Sequence, residues 1–316
     1  MNQTDLTRRK FLAGLGALSA AGLIGAIPSA AQPARPVSLS DIRTKPIPST
    51  GEQIPVIGMG TWITFNVGQD KKLRNHRSEI LREFFTRGGG MIDCSPMYGS
   101  SADVLGYALQ RLENKDSLFS ASKVWTSWTQ NGPGQIREQQ NRWGVDKFDL
   151  MQIHNLRNWE GHLETLQEKK EKGEIRYVGI TTSHGRRHNE LEYIMRTRPV
   201  DFVQLTYNIG DRAAEDRLLP LAREKGIAVI ANRPFRRKEL FRLYQHSKLP
   251  EWAEQEAGAI NWAEFFLKFI ISHRAVTCTI PATSQIPHMK ENMGALKGRL
   301  PSQKTRERMV SYIENL

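Results

Sequence analysis

Short apolar runs that alternate with amphipathic stretches constrain this chain more than any other feature. The runs are IPVIGMGTW, MIDCSP, LFSASKVW, DLMQIHN, IRYVGIT, DFVQLTYN, IAVIANRP and VTCTIPATS. Each reads as a strand. Helical patterns lie between them, over residues 78–88, 101–112, 134–143, 160–172, 188–196, 213–225 and 261–272, many ended by Gly or followed closely by Pro. Eight β-then-α units make a (β/α)8 TIM barrel. A doubly wound open sheet normally carries a Gly-rich phosphate fingerprint after its first strand, and GMGTW lacks the G-x-G-x-x-G spacing. With 316 residues, 39% hydrophobic and 25% charged, the chain is long enough for one large barrel core, placed at residues 51–316 as a single domain.

Two segments precede the barrel. TRRKFLAGLGALSAAGLIGAIPSAAQ pairs Arg8 and Arg9 with an uncharged run from Phe11 to Ile27 and then small residues, the pattern of a twin-arginine export signal over residues 1–31. The run is short for the ~20 residues of a spanning helix and rich in Gly and Ala, so no stable membrane anchor is expected. The implied partner is the twin-arginine export machinery, and the implied location is the periplasm. Replacing Arg8 and Arg9 with Lys tests this, because the twin-arginine route reads that pair whereas a general secretory route needs only positive charge. Folded precursor should then accumulate in the cytoplasm, and normal delivery of mature protein to the periplasm would exclude the route. A Pro-rich connector is expected over residues 32–50.

The formal charge of +12 is scattered, and beyond the N-terminal segment it clusters only at Arg236, Arg237 and Lys238, so a nucleic-acid partner is not expected. The two cysteines, Cys94 and Cys278, each sit inside an apolar run and read as buried free thiols rather than a disulfide. No metal site is expected.

The working face of such a barrel is at the C-terminal ends of its strands, so polar residues ending apolar runs matter most. Four stand out: Asp93 and, just past the Pro96 turn, Tyr98; Lys123 ending LFSASK; and His154 ending DLMQIH. Singly, each reads as ordinary packing or a solvated strand end. At the mouths of consecutive strands they converge on one cavity, where they suit a proton donor and its tuners.

In this order and spacing the four residues resemble the catalytic set of the aldo-keto reductases. The likeness runs from residue 52 to about 296 and includes GMGTW, DCSPMYG, VDKFDLMQIHN, GEIRYVGIT, VQLTYN and IPATSQIPHMKEN. The resemblance implies hydride transfer between a nicotinamide dinucleotide and a small-molecule carbonyl substrate. Tyr98 is then the proton donor, with Lys123 held against its oxygen to lower its pKa and Asp93 keeping Lys123 charged. His154 donates to the same carbonyl oxygen. Trp62 lines the substrate pocket.

The resemblance also places the cofactor, NADP(H) or else NAD(H), against Gly60, Thr61, Gln204 and the pair Thr181–Thr182, which stands where the family has Ser-Asn. Asn232 occupies the place of a stacking Tyr. Beyond the last strand Thr283, Glu291 and Asn292 match, while Ala282 and His288 stand where the family often has a Lys and an Arg for the 2′-phosphate. The run Arg236, Arg237 and Lys238, or Lys290, supplies the replacement cations this suggests. Two other readings stay open: a dinucleotide-binding sensor with little turnover, and a lyase that uses Lys123 as a Schiff base.

Overall fold

The computed structural model describes residues 41–316; the expected signal, residues 1–31, and the connector as far as residue 40 lie outside the described residues. The connector ends earlier than residue 50. Strand β1 (Thr44–Pro46) pairs antiparallel with β2 (Gln53–Pro55), and Ile47 is completely buried. This hairpin belongs to the barrel, because Ile47 and Ile54 share one apolar cluster with Met91, Phe119, Leu150 and Phe202 of the barrel interior. The prolines favour the extended backbone of these strands, and burial of such side chains ties the hairpin to the barrel.

Eight parallel strands follow in sequential order: β3 (Met59–Gly60), β4 (Met91–Asp93), β5 (Phe119–Val124), β6 (Phe148–Ile153), β7 (Ile175–Thr181), β8 (Phe202–Thr206), β9 (Ala228–Asn232) and β10 (Val276–Thr279). The segment before β3 closes the ring on β10, with Gly58 N donating to Thr279 O at 2.8 Å and Thr279 N to Val56 O at 3.0 Å. A Cβ at Gly58 would stand 2.8 Å from Met91 O, which explains glycine at this close approach.

The helices α1 (Lys71–Thr86), α2 (Ser101–Leu109), α3 (Gly132–Trp143), α4 (Trp159–Glu171), α5 (His188–Thr197), α6 (Leu218–Lys225), α7 (Glu239–Tyr244), α8 (Trp262–Ser272), α9 (Ile286–Gly294) and α10 (Gln303–Glu314) lie between and after the strands. Helix α1 begins seven residues before its apolar pattern does. Its first turns, KKLRNHR, carry little apolar signal, but Asp70 caps them by accepting from Leu73 N at 2.9 Å. Residues 213–217 do not open α6 as expected; they form a separate short turn over Ala213–Glu215. No described helix is long and apolar enough to cross a membrane.

Candidate active site

Strand register builds a polar layer near the C-terminal end of the barrel. Lys123 on β5 lies beside Gln152 on β6, and Thr181 on β7 beside Gln204 on β8. Asp93, on β4, receives all the donors: Lys123 Nζ reaches its Oδ2 at 2.5 Å, while Gln152 Nε2 and Gln204 Nε2 reach its Oδ1 at 3.0 and 2.9 Å. Lys123 Nζ also donates to Cys94 O at 3.0 Å. Lys123 is 0% exposed and Asp93 2%, so this is a fully desolvated ion pair with its remaining lone pairs satisfied by amides.

Tyr98 follows on the turn beyond β4. The turn is held by Tyr98 N donating to Ser95 O at 3.0 Å and by Ser101 Oγ donating to Tyr98 O at 2.8 Å. Gly99 ends it with φ +60, and a Cβ there would strike Asn66 Oδ1 at 2.4 Å. The Tyr98 ring packs edge-on to His154 with centroids 5.7 Å apart, and Lys123 Nζ sits 5.2 Å from its centre. His154 is 6% exposed, and its Nδ1 lies 2.7 Å from Ser95 Oγ.

The electrostatics differ from the expectation that Lys123 holds the phenol down. Burial, then the negative charge of Asp93, then Cys94 push the Tyr98 pKa well above its ordinary value. The Lys123 ammonium is turned to Asp93 and Cys94 O rather than to the phenol oxygen, so its field at Tyr98 is largely cancelled. A protonated phenol results. Burial first, and the Lys123 charge second, lower His154 from 6.5 to about 3, leaving a neutral imidazole. The thiols are likewise pushed up by burial, to about 11 at Cys94 and about 12 at Cys278; both are free.

A stability prediction follows from the depressed His154. The unfolded ring takes its proton near pH 6.5 and the folded one near pH 3, so the unfolded chain binds more protons between those values. Stability therefore falls as pH drops through that window, by at most about 1.4 kcal/mol per pH unit for one such ring. His273, lowered to about 4 by burial and then by Arg306, adds to the slope. Denaturant midpoints measured against pH should lose part of this acid limb in His154→Gln, and an unchanged slope would show that the ring is charged in the fold.

Above the four residues lies a cavity of about 540 Å³. Gly60, Thr61, Trp62, Thr181, Thr182, Gln204 and Asn232 line it together with Asp93, Tyr98 and His154. Thr182 Oγ is buried there without a partner, whereas Thr181 Oγ already accepts from Asn155 N at 3.1 Å. The Gln204 amide nitrogen is turned inward to Asp93 and Gln152, which leaves less of it for a ligand than the resemblance implies. Asn232 bridges Thr206 Oγ at 2.8 Å and Thr182 O at 2.8 Å, so it braces the wall.

The expected cations divide. Arg236 is tied to Asp211 by two bonds of 2.9 and 2.5 Å and does not line the cavity. Arg237 does, with its guanidinium 4.5 Å over the Trp62 ring. Lys238, the third of the run, lines the cavity as well, and a further cation of the mouth escapes a sequence reading: Arg233, whose Nη1 lies 2.6 Å from His184 Nε2 while its buried Nε has no partner. Thr283, His288, Lys290, Glu291 and Asn292 are on or just before α9, outside the lining; Thr283 Oγ accepts from Gln285 N and Asn292 is buried. Ala282 reaches the cavity. Gln152 and Ser95 are the other missed residues. Gln152 was detectable, since it stands two positions before His154 and so faces the same side of the strand.

A parallel barrel with a buried ion pair, a protonated phenol and a neutral imidazole gathered at its C-terminal mouth defines an enzyme-type barrel site. This chain belongs to the aldo/keto reductase family, a model of which matches residues 56–309. Methylglyoxal reductase YeaE of Escherichia coli strain K12 is 28% identical over 259 residues, covering 79% of this chain and 88% of that protein. Aldo-keto reductase YhdN of Bacillus subtilis strain 168 is 26% identical over 202 residues, 58% of this chain and 59% of that one. Among solved structures, an aldo/keto reductase from Klebsiella pneumoniae in complex with NADP and acetate shares the fold with TM-score 0.70 at 23% identity, covering 86% of this chain and 94% of that one. The thermostable aldo-keto reductase Tm1743 in complex with the inhibitor epalrestat also gives TM-score 0.70, at 26% identity over 85% and 99%.

Proposed function

We propose that this protein reduces a small carbonyl compound with hydride from NADPH or NADH, and that Tyr98 protonates the carbonyl oxygen. The observation that carries the proposal is the meeting of Tyr98 and His154 in one cavity above the Lys123–Asp93 pair. Family membership supports it, as do the names of relatives, among them an NADH-specific methylglyoxal reductase of E. coli, and the NADP held by structural neighbours. A Schiff-base role for Lys123 is disfavoured, because its nitrogen is wholly buried and already bonded to Asp93 and Cys94 O.

The cavity fits a dinucleotide. Thr182 Oγ offers an unused polar atom for a carboxamide, and the unpartnered Arg233 Nε with Arg237 and Lys238 offers cationic donors for phosphate. When bound, the cofactor supplies the hydride. Ser95 Oγ lies 2.7 Å from His154 Nδ1, and in the tautomer in which Nδ1 accepts from it, Nε2–H is left to hold the carbonyl oxygen and stabilise its developing charge. As hydride reaches carbon, the Tyr98 proton passes to oxygen, giving the alcohol, and solvent returns the proton to the phenolate.

Incubation with methylglyoxal and either reduced dinucleotide should consume the nicotinamide absorbance; no consumption with either cofactor would refute the function. Cofactor choice is tested separately by quenching of tryptophan fluorescence. A charge-assisted bond from Arg237 or Lys238 to the 2′-phosphate contributes about 1.5–3 kcal/mol, so NADPH should bind at least about tenfold tighter than NADH. Arg237→Ala should erase much of that preference and Arg236→Ala little of it, since Arg236 serves Asp211. Equal wild-type affinities would rule out the 2′-phosphate contact.

A further inference from the structure

Helix α1 turns an arginine inward. Arg77 is 7% exposed and shares the buried face of the helix with Ile80, Leu81 and Phe84. It lines the cavity above Tyr98 and His154, and its Nε donates to Thr64 O at 2.6 Å. Among the described residues no other group bonds the guanidinium and no carboxylate pairs with it. Burial lowers its pKa, and no neighbouring charge opposes that. Leucine or methionine would fill the same place without taking a charge out of water, so an arginine here calls for an anion that the described residues do not supply.

The cavity as a whole is short of negative charge. Arg77, Arg233, Arg237 and Lys238 line it, while Asp93, the only carboxylate of the lining, is matched by Lys123 and by the Gln152 and Gln204 amides. Like charges around one concave site repel each other and attract an anionic ligand.

These cations come from two walls. Arg233, Arg237 and Lys238 belong to the segment after β9, whereas Arg77 reaches in from α1, which His76 ties to the segment after β10 with its Nε2 3.1 Å from Ser284 O. The walls meet at one turn, closed by Thr64 N donating to Trp62 O at 2.7 Å and Phe65 N to Thr61 O at 3.1 Å. Arg237 covers the Trp62 ring at one end of this turn, and Arg77 holds Thr64 O at the other. Ile63, between them, has φ +64, a strained conformation for a β-branched residue that persists where both neighbours are fixed.

We infer that Arg77 is a phosphate-binding residue of this cavity, holding the Trp62–Thr64 turn with its Nε and donating from its Nη atoms to a phosphate of the dinucleotide. The inference rests on the dinucleotide reading above. A guanidinium suits the double task, because its donors lie in one plane along separate edges and a phosphate takes two of them in parallel. Phosphate bound at Arg77 acts on the same group that fixes the turn, so dinucleotide affinity and the placement of Trp62 are linked.

The test titrates the full-length protein with NADPH and with NADH at low and high salt, following tryptophan fluorescence, in wild type and Arg77→Gln. The substitution should weaken at least one dinucleotide by about tenfold or more and flatten the salt dependence of that affinity, as expected for loss of a charge-assisted bond. A loss confined to NADPH assigns Arg77 to the 2′-phosphate, which NADH lacks, and an equal loss of both assigns it to the shared pyrophosphate. Without ligand, Arg77→Gln should unfold at the same urea concentration as wild type or a higher one, since an unpaired buried cation is removed. Arg77→Lys, which keeps the charge but not the fork, should recover part of the lost affinity. Unchanged affinity for both dinucleotides in Arg77→Gln overturns the inference. So does a loss that keeps the wild-type salt dependence, or a lowered urea midpoint with no recovery in Arg77→Lys, the marks of a residue that only holds the turn. Wild type that binds neither dinucleotide defeats the cofactor reading and this inference with it, whereas binding without carbonyl turnover defeats the reductase reading and leaves Arg77 in its role.

Discussion

Tyr98→Phe should lower carbonyl reduction by roughly 10²–10⁴-fold while the protein stays folded and keeps its dinucleotide affinity. The loss is that of a positioned proton donor. The fold loses little, because no described residue hydrogen-bonds the Tyr98 hydroxyl, and the ring contacts with His154 and Lys123 survive in phenylalanine. The pKa direction sharpens the expectation. Burial and Asp93 keep the phenol protonated through neutral pH, so the wild-type rate should show no loss of the acid form below about pH 9. Steady-state rates from pH 6 to 9 with cofactor titrations of both proteins check this, and turnover within tenfold of wild type would remove Tyr98 from the role.

The barrel was legible because its signal repeats: eight apolar runs, six of which terminate at a Pro or polar residue, alternate with amphipathic stretches. Asp93, Tyr98, Lys123 and His154 were legible for the same reason, being the chemically unusual strand ends. What escaped depends on register and on surfaces that meet only in three dimensions. Gln152 sits inside an apolar run, and Gln204, expected against the cofactor, instead turns inward; the lateral alignment of β4, β6 and β8 brings both to the Asp93 carboxylate. The β1–β2 hairpin has three-residue strands among prolines, too short for periodicity to register. Helix α10 buries mainly Met309 and Ile313 and is anchored by polar bonds, such as Arg306 Nη2 to the Tyr207 hydroxyl at 2.6 Å. The cations at the cavity mouth were partly visible. RRK stood out as charge, but its division between Asp211 and Trp62 follows from backbone geometry, with Arg236, Arg237 and Lys238 all at positive φ.

Lys123→Met should destabilise the fold by about 3–5 kcal/mol, a large part of the 5–15 kcal/mol typical of a domain. Methionine fills most of the space of the lysine stem, so packing is not the main loss. The cost arises at Asp93, 2% exposed, whose carboxylate would keep Gln152 and Gln204 as neutral donors and lose its only cation. Asp93→Asn strands the Lys123 ammonium in the same way, with Cys94 O as its remaining strong acceptor. The double variant removes both charges together, so it should be less destabilised than the two single losses summed, by a kilocalorie or more. Urea midpoints at constant m value give all three numbers. Strict additivity, or a loss under about 1 kcal/mol in Lys123→Met, would mean that water enters the pair and that Asp93 and Lys123 are not a desolvated couple.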